Sequence, residues 1–257
     1  MMPAFGHAED GKSDAGRADA EFRLLELGGR NVRWKLPENG LPATITYAFL
    51  TEPAAFPDAR NCDAMLPPAA ALGPSSIADE DFRREVRAAF AVWEEAANIV
   101  FRETAPNANA GILIGADAKA RGRAFTNVAL EEQSATDQTV SAGPGAIRQS
   151  LICLNPKRRW KIGFDGDLDI YDLRFTMMHE IGHAIGLDHP GPEGPLMGFR
   201  YVEKARTLQT GDVAGAMALY GRPGAPAPAL SIAASPAPSA ADQDAAFGLG
   251  EAPAAAP

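Results

Sequence analysis

The 257-residue chain carries a formal net charge of −9 and is 46% hydrophobic by composition. An acidic chain without a basic stripe is a poor nucleic-acid binder, because neutralising phosphates takes clustered Lys and Arg. No apolar run approaches the roughly 18 residues of a transmembrane helix, so no membrane span is expected.

Taken in chain order, residues 1–30 read as a flexible N-terminal segment, and residues 1–14 lack the apolar core of a signal peptide. A first strand is expected at 43–50, where Ile45, Tyr47 and Phe49 alternate with Thr44, Thr46 and Ala48. A loop rich in Pro, Ala and Asp fills 51–76. Residues 79–97 place Phe82, Val86, Phe90, Trp93 and Ala97 on one helical face, with Asp79, Glu80 and Asp81 in the first turn, where the helix dipole favours acids. Short strands are expected at 99–101, 112–114, 123–128 and 150–154, with a surface loop at 134–146. Two further helices are expected at about 172–186 and 212–220. Residues 222–257 hold 14 Ala and 7 Pro in 36 positions and read as a disordered tail. One α+β domain at 31–221 remains, with helices on a mixed sheet.

Cys62 and Cys153 show no close metal-ligand spacing. They are either two buried thiols or one disulfide tying the loop at 56–74 to a core strand, which would imply an oxidising compartment.

One motif carries chemistry: His179-Glu180-Ile181-Gly182-His183-Ala184-Ile185-Gly186-Leu187-Asp188-His189. His179 and His183 are four apart on a helix, so both imidazoles leave one face and can hold one metal ion. Glu180 lies beside His179, within reach of a metal-activated water. Gly186 can take the left-handed conformation that ends the helix, and the turn then delivers His189 as a third ligand. Three imidazoles and a water make an open, catalytic zinc site. On average composition the full pattern arises by chance in about one chain in 10⁵. Three of the four histidines of the chain lie in it; His7 reads as a solvated residue. The acids Asp165, Asp167, Asp169 and Asp172 with Gly166 echo a calcium loop but lack the distal Glu of an EF-hand, so a solvated turn capping the following helix is favoured over Ca²⁺ binding. Asp188 is placed to orient a ligand or a backbone amide, and Trp160 and Phe164 to pack under the helix.

These residues, with Pro190 and with Pro195-Leu196-Met197, resemble the metzincin zinc-protease signature and its Met-turn. Within that clan the chain is most similar to the matrixins: Tyr201 stands four residues after Met197, and 208–213 followed by Leu219-Tyr220-Gly221 resembles the last matrixin helix. Weaker similarity lies in Arg33-Trp34, Ile45-Thr46-Tyr47 and the Phe90–Trp93 helix. The resemblance implies a metzincin fold, a mixed twisted sheet with an upstream helix, an active-site helix and a C-terminal helix. It implies a zinc endopeptidase acting on peptide or protein substrates, with His179, His183 and His189 on zinc and Glu180 as general base towards a zinc-activated water. Met197 would form an apolar floor. Tyr201 would wall the pocket for the residue after the scissile bond without binding zinc, and residues 123–128, with Ala124 and Phe125, would be the edge strand that pairs with substrate. A monomer in a secreted or periplasmic location is expected. With no His between His7 and His179, the structural zinc usual in matrixins is expected to be missing, as is a pro-domain cysteine switch. Two other readings remain open at this stage: a zinc protein that binds without turnover, disfavoured by the intact Glu180, and a zinc amidase of cell-wall peptides.

Overall fold

The computed structural model describes residues 21–106, 109–120, 122–132 and 143–225. Its strands are β1 (Arg23–Leu24), β2 (Glu26–Leu27), β3 (Arg30–Arg33), β4 (Ala43–Phe49), β5 (Ala54–Ala55), β6 (Ala64–Leu66), β7 (Ile99–Glu103), β8 (Ile112–Asp117), β9 (Ala124–Leu130), β10 (Gly145–Leu154), β11 (Trp160–Lys161), β12 (Tyr171–Asp172) and β13 (Leu187–Asp188). Its helices are α1 (Ala69–Leu72), α2 (Asp79–Ala96), α3 (Leu173–Ala184) and α4 (Thr210–Tyr220). Among the described residues no helix is long and apolar enough to cross a membrane.

The main sheet runs β2-β3-β10-β8-β4-β7. The pairs β10–β3, β10–β8, β8–β4 and β4–β7 are parallel, whereas β9 lies antiparallel along β10 and β6 along the end of β8. This is the mixed sheet of an α+β fold.

Strand alternation decides what each face meets. Ile45, Tyr47 and Phe49 of β4, with Ile112, Ile114, Ile152 and Leu154, join the large core under α2 and α3. The intervening Ala48, Leu113, Leu151 and Cys153 point the other way into a second cluster with Cys62, Met65 and Phe125. The Cys62–Cys153 disulfide closes that cluster, so of the two readings of the cysteines the cross-link holds. The 51–76 stretch, expected as loop, contains β5, β6 and α1: its Cys62 and Met65 cover this second face, whereas Ala71 and Leu72 of α1 join the large core.

The α2 face is buried as its spacing requires, with Phe82, Val86 and Trp93 at 0% exposure. Burying each large apolar side chain contributes roughly 1.5–3 kcal/mol. Trp93 also donates its Nε1–H to the Met178 carbonyl at 3.0 Å, which fixes α2 against α3. Trp160 is buried in the same core, and Phe164 packs against it, its ring 6.1 Å from that of Phe175.

Two boundaries differ from expectation. Residues 21–30 are not a flexible segment: β1 pairs antiparallel with β13, Leu25 is buried, and Arg23 forms an ion pair with Asp188 at 3.1 Å. The short apolar run Leu24, Leu25 and Leu27 finds partners only across the chain, which local composition does not reveal. The loop expected at 134–146 ends earlier, since β10 already begins at Gly145; residues 133–142 lie outside the described residues, as do 1–20 and 226–257.

Candidate metal centre and cleft

The centre is built on α3. Asp172 caps it, its Oδ1 accepting from the Phe175 amide at 2.8 Å and its Oδ2 from the Gly163 amide at 2.6 Å. A side-chain oxygen at this position satisfies one of the free amides of the first turn. Within the helix only glycine fits at position 182, because a Cβ there would stand 2.3 Å from Met197 Sδ and 3.1 Å from the Trp93 ring. At the other end Gly186 has φ +104°, and a Cβ would lie 2.2 Å from the Val32 carbonyl oxygen. The positive φ takes the chain out of the helix, and the close approach of Val32 keeps the position glycine.

The carbonyls at that end are met partly by backbone amides, those of Gly182 and His183 by Ile185 and Gly186, and partly by side chains from elsewhere. Trp34 Nε1–H and the Ser150 hydroxyl donate to the Ala184 carbonyl at 2.9 and 3.1 Å, and the Tyr220 hydroxyl donates to that of Ile185 at 2.6 Å. The chain then runs into β13, held by β1, and presents His189.

The three histidines converge. The Nε2 atoms of His179, His183 and His189 lie 3.0–3.2 Å apart, and a tetrahedral zinc with Zn–N bonds near 2.05 Å sets its nitrogens about 3.3 Å apart. His179 Nδ1–H donates to the Leu196 carbonyl at 2.8 Å and His183 Nδ1–H to that of Leu187 at 2.9 Å, which leaves both Nε2 lone pairs facing the common centre. Burial pushes His179 and His189 well below the ordinary imidazole range, helped by the neighbouring imidazoles and by Arg123. Neutral imidazoles are the form that binds metal. Among the described residues these three form the group whose ligand atoms could hold an ion. The donor set and its spacing fit zinc.

Asp188 supports the third ligand, accepting from the His189 amide at 2.8 Å while Arg23 holds its other oxygen. Glu180 is buried beside the triad. Its Oε2 accepts from the Thr126 hydroxyl on β9 at 2.8 Å, a proton that the Glu180 carbonyl at 3.0 Å also attracts. Burial raises the Glu180 pKa, while His183, Thr126 and Arg123 oppose the rise. A carboxyl shifted towards neutrality from below is suited to taking and returning a proton.

The segment after His189 wraps under the site. Asp212 at the start of α4 accepts from the amides of Leu196 and Met197 at 2.9 and 3.0 Å and from that of Gln209 at 2.8 Å, fixing the turn that puts Met197 beneath Gly182. Tyr201 accepts from the Asp172 amide at 2.8 Å and donates to Glu203 Oε1 at 2.7 Å, so its hydroxyl is engaged away from the imidazoles. Its ring stands edge-on to Tyr171 and Phe175. Ala124 and Phe125 turn their side chains into the two cores, so only their backbone is placed to face a ligand. Among the described residues β9 pairs with β10 alone, which makes it a sheet edge beside Glu180.

The acidic loop before α3 is arranged differently. The Lys161 ammonium sits among its oxygens, bonded to Asp165 Oδ1, to the Asp167 carbonyl at 2.7 Å and to Glu203 Oε1 at 2.6 Å. Glu203 Oε2 in turn accepts from the amides of Asp165 and Gly166. The cation of this loop is a side chain.

Sequence reasoning did not assign Thr126, Asp212, Lys161 or the Arg123 side chain. Asp212 was expected only as the first residue of the helix at 212–220; the structure starts that helix at Thr210 and makes Asp212 its third residue, in a capping box with Gln209.

Comparison with known proteins gives a consistent result. The family model described as Matrixin (Peptidase M10) matches residues 71–221. The chain is 26% identical over 227 residues to Metalloendoproteinase 4-MMP of Arabidopsis thaliana, covering 86% of this chain and 57% of that protein. It is 29% identical over 173 residues to Stromelysin-3 of Mus musculus, 62% of this chain and 32% of that protein. Serralysin B of Dickeya chrysanthemi is 27% identical over 151 residues, 59% of this chain and 27% of that protein. The chain thus spans little more than half the length of the first relative and a third or less of the other two.

Proposed function

This chain belongs to the matrixin family, and on that premise we propose that it is a zinc-dependent endopeptidase. The observation that carries the reading is the convergence of three buried imidazole Nε2 atoms beside a buried carboxylate. His179, His183 and His189 hold the metal. Zinc bound there would polarise the scissile carbonyl and acidify water.

The chain's own residues supply the rest. Glu180 takes the proton of the attacking water and hands it to the leaving amine. Thr126 engages Oε2 and so leaves Oε1 to receive that proton. Met197 is the apolar floor of the imidazole cluster, and the Tyr201 ring walls the pocket for the residue after the cut. The substrate lies extended along β9, pairing with the backbone at Ala124 and Phe125 as an added strand. The disulfide supports an oxidising compartment outside the cytosol.

The test is a peptide-library digest with zinc-loaded wild type, wild type plus a chelator, and Glu180→Ala. Wild type cleaves, the chelator stops it, and Glu180→Ala loses about 10²–10⁴-fold in kcat while still binding zinc. Cleavage that survives Glu180→Ala overturns the mechanism.

A further inference from the structure

We propose that Arg123 selects substrates with an acidic side chain, Asp or Glu, immediately after the scissile bond. This rests on the peptidase reading above, in which Tyr201 walls that pocket.

Arg123 is 3% exposed, and among the described residues neither its Nε nor its Nη2 has a hydrogen-bond partner. The contrast with the other arginines near α3 is sharp. Arg174 and Arg206 both bond the buried Glu85, at 2.8 and 2.7 Å, and Arg206 also bonds Asp172. A guanidinium buried without an anion is costly, whereas one that receives a carboxylate in its planar fork is not.

Its position says where that carboxylate comes from. Arg123 immediately precedes β9, the strand set to pair with substrate. The guanidinium carbon lies 5.2 Å from the centre of the Tyr201 ring and 5.3 Å from that of Tyr171, so two aromatic faces hold it. The same strand carries Thr126, whose hydroxyl bonds Glu180 Oε2 at 2.8 Å, so Arg123 sits at the end of the strand that borders the catalytic carboxylate. The Tyr201 hydroxyl does not neutralise it, since burial and Glu203 raise that group well above its ordinary range. A substrate carboxylate brought against the guanidinium is offered Nε and Nη2, both buried and without a hydrogen-bond partner among the described residues. A carboxylate satisfies both at once; an apolar side chain leaves them buried and unpaired.

The experiment uses the zinc-loaded full chain and quenched fluorescent peptides that differ only in the residue after the cut: Glu, Asp, Gln, Leu or Met. The expected kcat/KM for Glu or Asp exceeds that for Leu by about 10–100-fold. Arg123→Met, which keeps the apolar stem and removes the charge, inverts the order, losing the acidic peptides and gaining the leucine peptide. Arg123→Lys retains a weaker acidic preference.

A wild-type preference for Leu or Met overturns the proposal, and so does an Arg123→Met loss that is equal for every peptide, which would assign the cation to Glu180 alone. If Arg123→Met does not fold, as judged by its melting curve, the wild-type profile decides by itself. Cleavage that depends on Glu180 but ignores the residue after the cut removes this proposal and leaves the peptidase reading standing. The absence of any Glu180-dependent cleavage removes both.

Discussion

Two regions of this molecule look like metal sites to a reader of residue types, and they resolve the same electrostatic problem in opposite ways. The histidine triad gathers three buried imidazole donors around one common centre, and among the described residues no lysine or arginine nitrogen is bonded there. The acidic loop at 165–169 gathers carboxylates around an ammonium that the chain itself provides, Lys161. Donor residues alone do not make an ion site. What decides is whether the fold has already delivered a cation.

The strongest way to break this comparison is at the triad. His183→Ala removes one nitrogen of three and the support of the Leu187 carbonyl, and peptidase activity should fall by at least ~10³-fold with loss of stoichiometric zinc by metal analysis. Retained zinc and turnover would show that the metal lies elsewhere. Next in size is Thr126→Val, which deletes the bond to Glu180 Oε2 at nearly constant volume. A hydrogen bond to a charged group is worth about 1.5–3 kcal/mol, so kcat should drop about tenfold or more with zinc content unchanged.

A smaller effect concerns the metal-free protein. His179 and His189 are depressed in the folded state, so below about pH 6.5 the unfolded chain binds more protons than the folded one. Stability is therefore present above that pH and is lost as pH falls through it. Melting curves of chelated protein from pH 8 to 5 should show a steady decline below 6.5; a flat profile would mean that the imidazoles are not held neutral.

The smallest effect is expected at the other region. Lys161→Met leaves Asp165 and Glu203 without their cation, and the melting temperature should fall slightly at low salt and recover with millimolar calcium. Wild type should not respond to calcium. A wild-type response would place the two regions in the same class.

How much of this was legible beforehand follows from distance along the chain. His179, Glu180, His183, Gly186 and His189 declare themselves because one helical turn and one reversal set their geometry within eleven consecutive residues. The helix at 79–96 was legible for the same reason, since its period is local. Thr126 meets Glu180 across 54 residues, Lys161 meets Glu203 across 42, and β1 meets β13 across more than 160. Such pairings depend on how the sheet is threaded, which no window of the sequence contains. Arg123 is the instructive case. The sequence offers it only as the first residue of the expected strand at 123–128, and Tyr171 and Tyr201, distant along the chain, are what surround it as a buried cation.

The pairing of β1 with β13 has a consequence for maturation. His189 is presented by a two-residue strand whose partner is Arg23–Leu24, and Phe22 packs against Gly215 of the last helix. A processing cut on the N-terminal side of Phe22 leaves this arrangement whole. A cut beyond Leu25 strips away the partner strand, the ion pair to Asp188 and, with them, the brace on the third imidazole. Within a few peptide bonds, a cut in this segment passes from harmless to disarming.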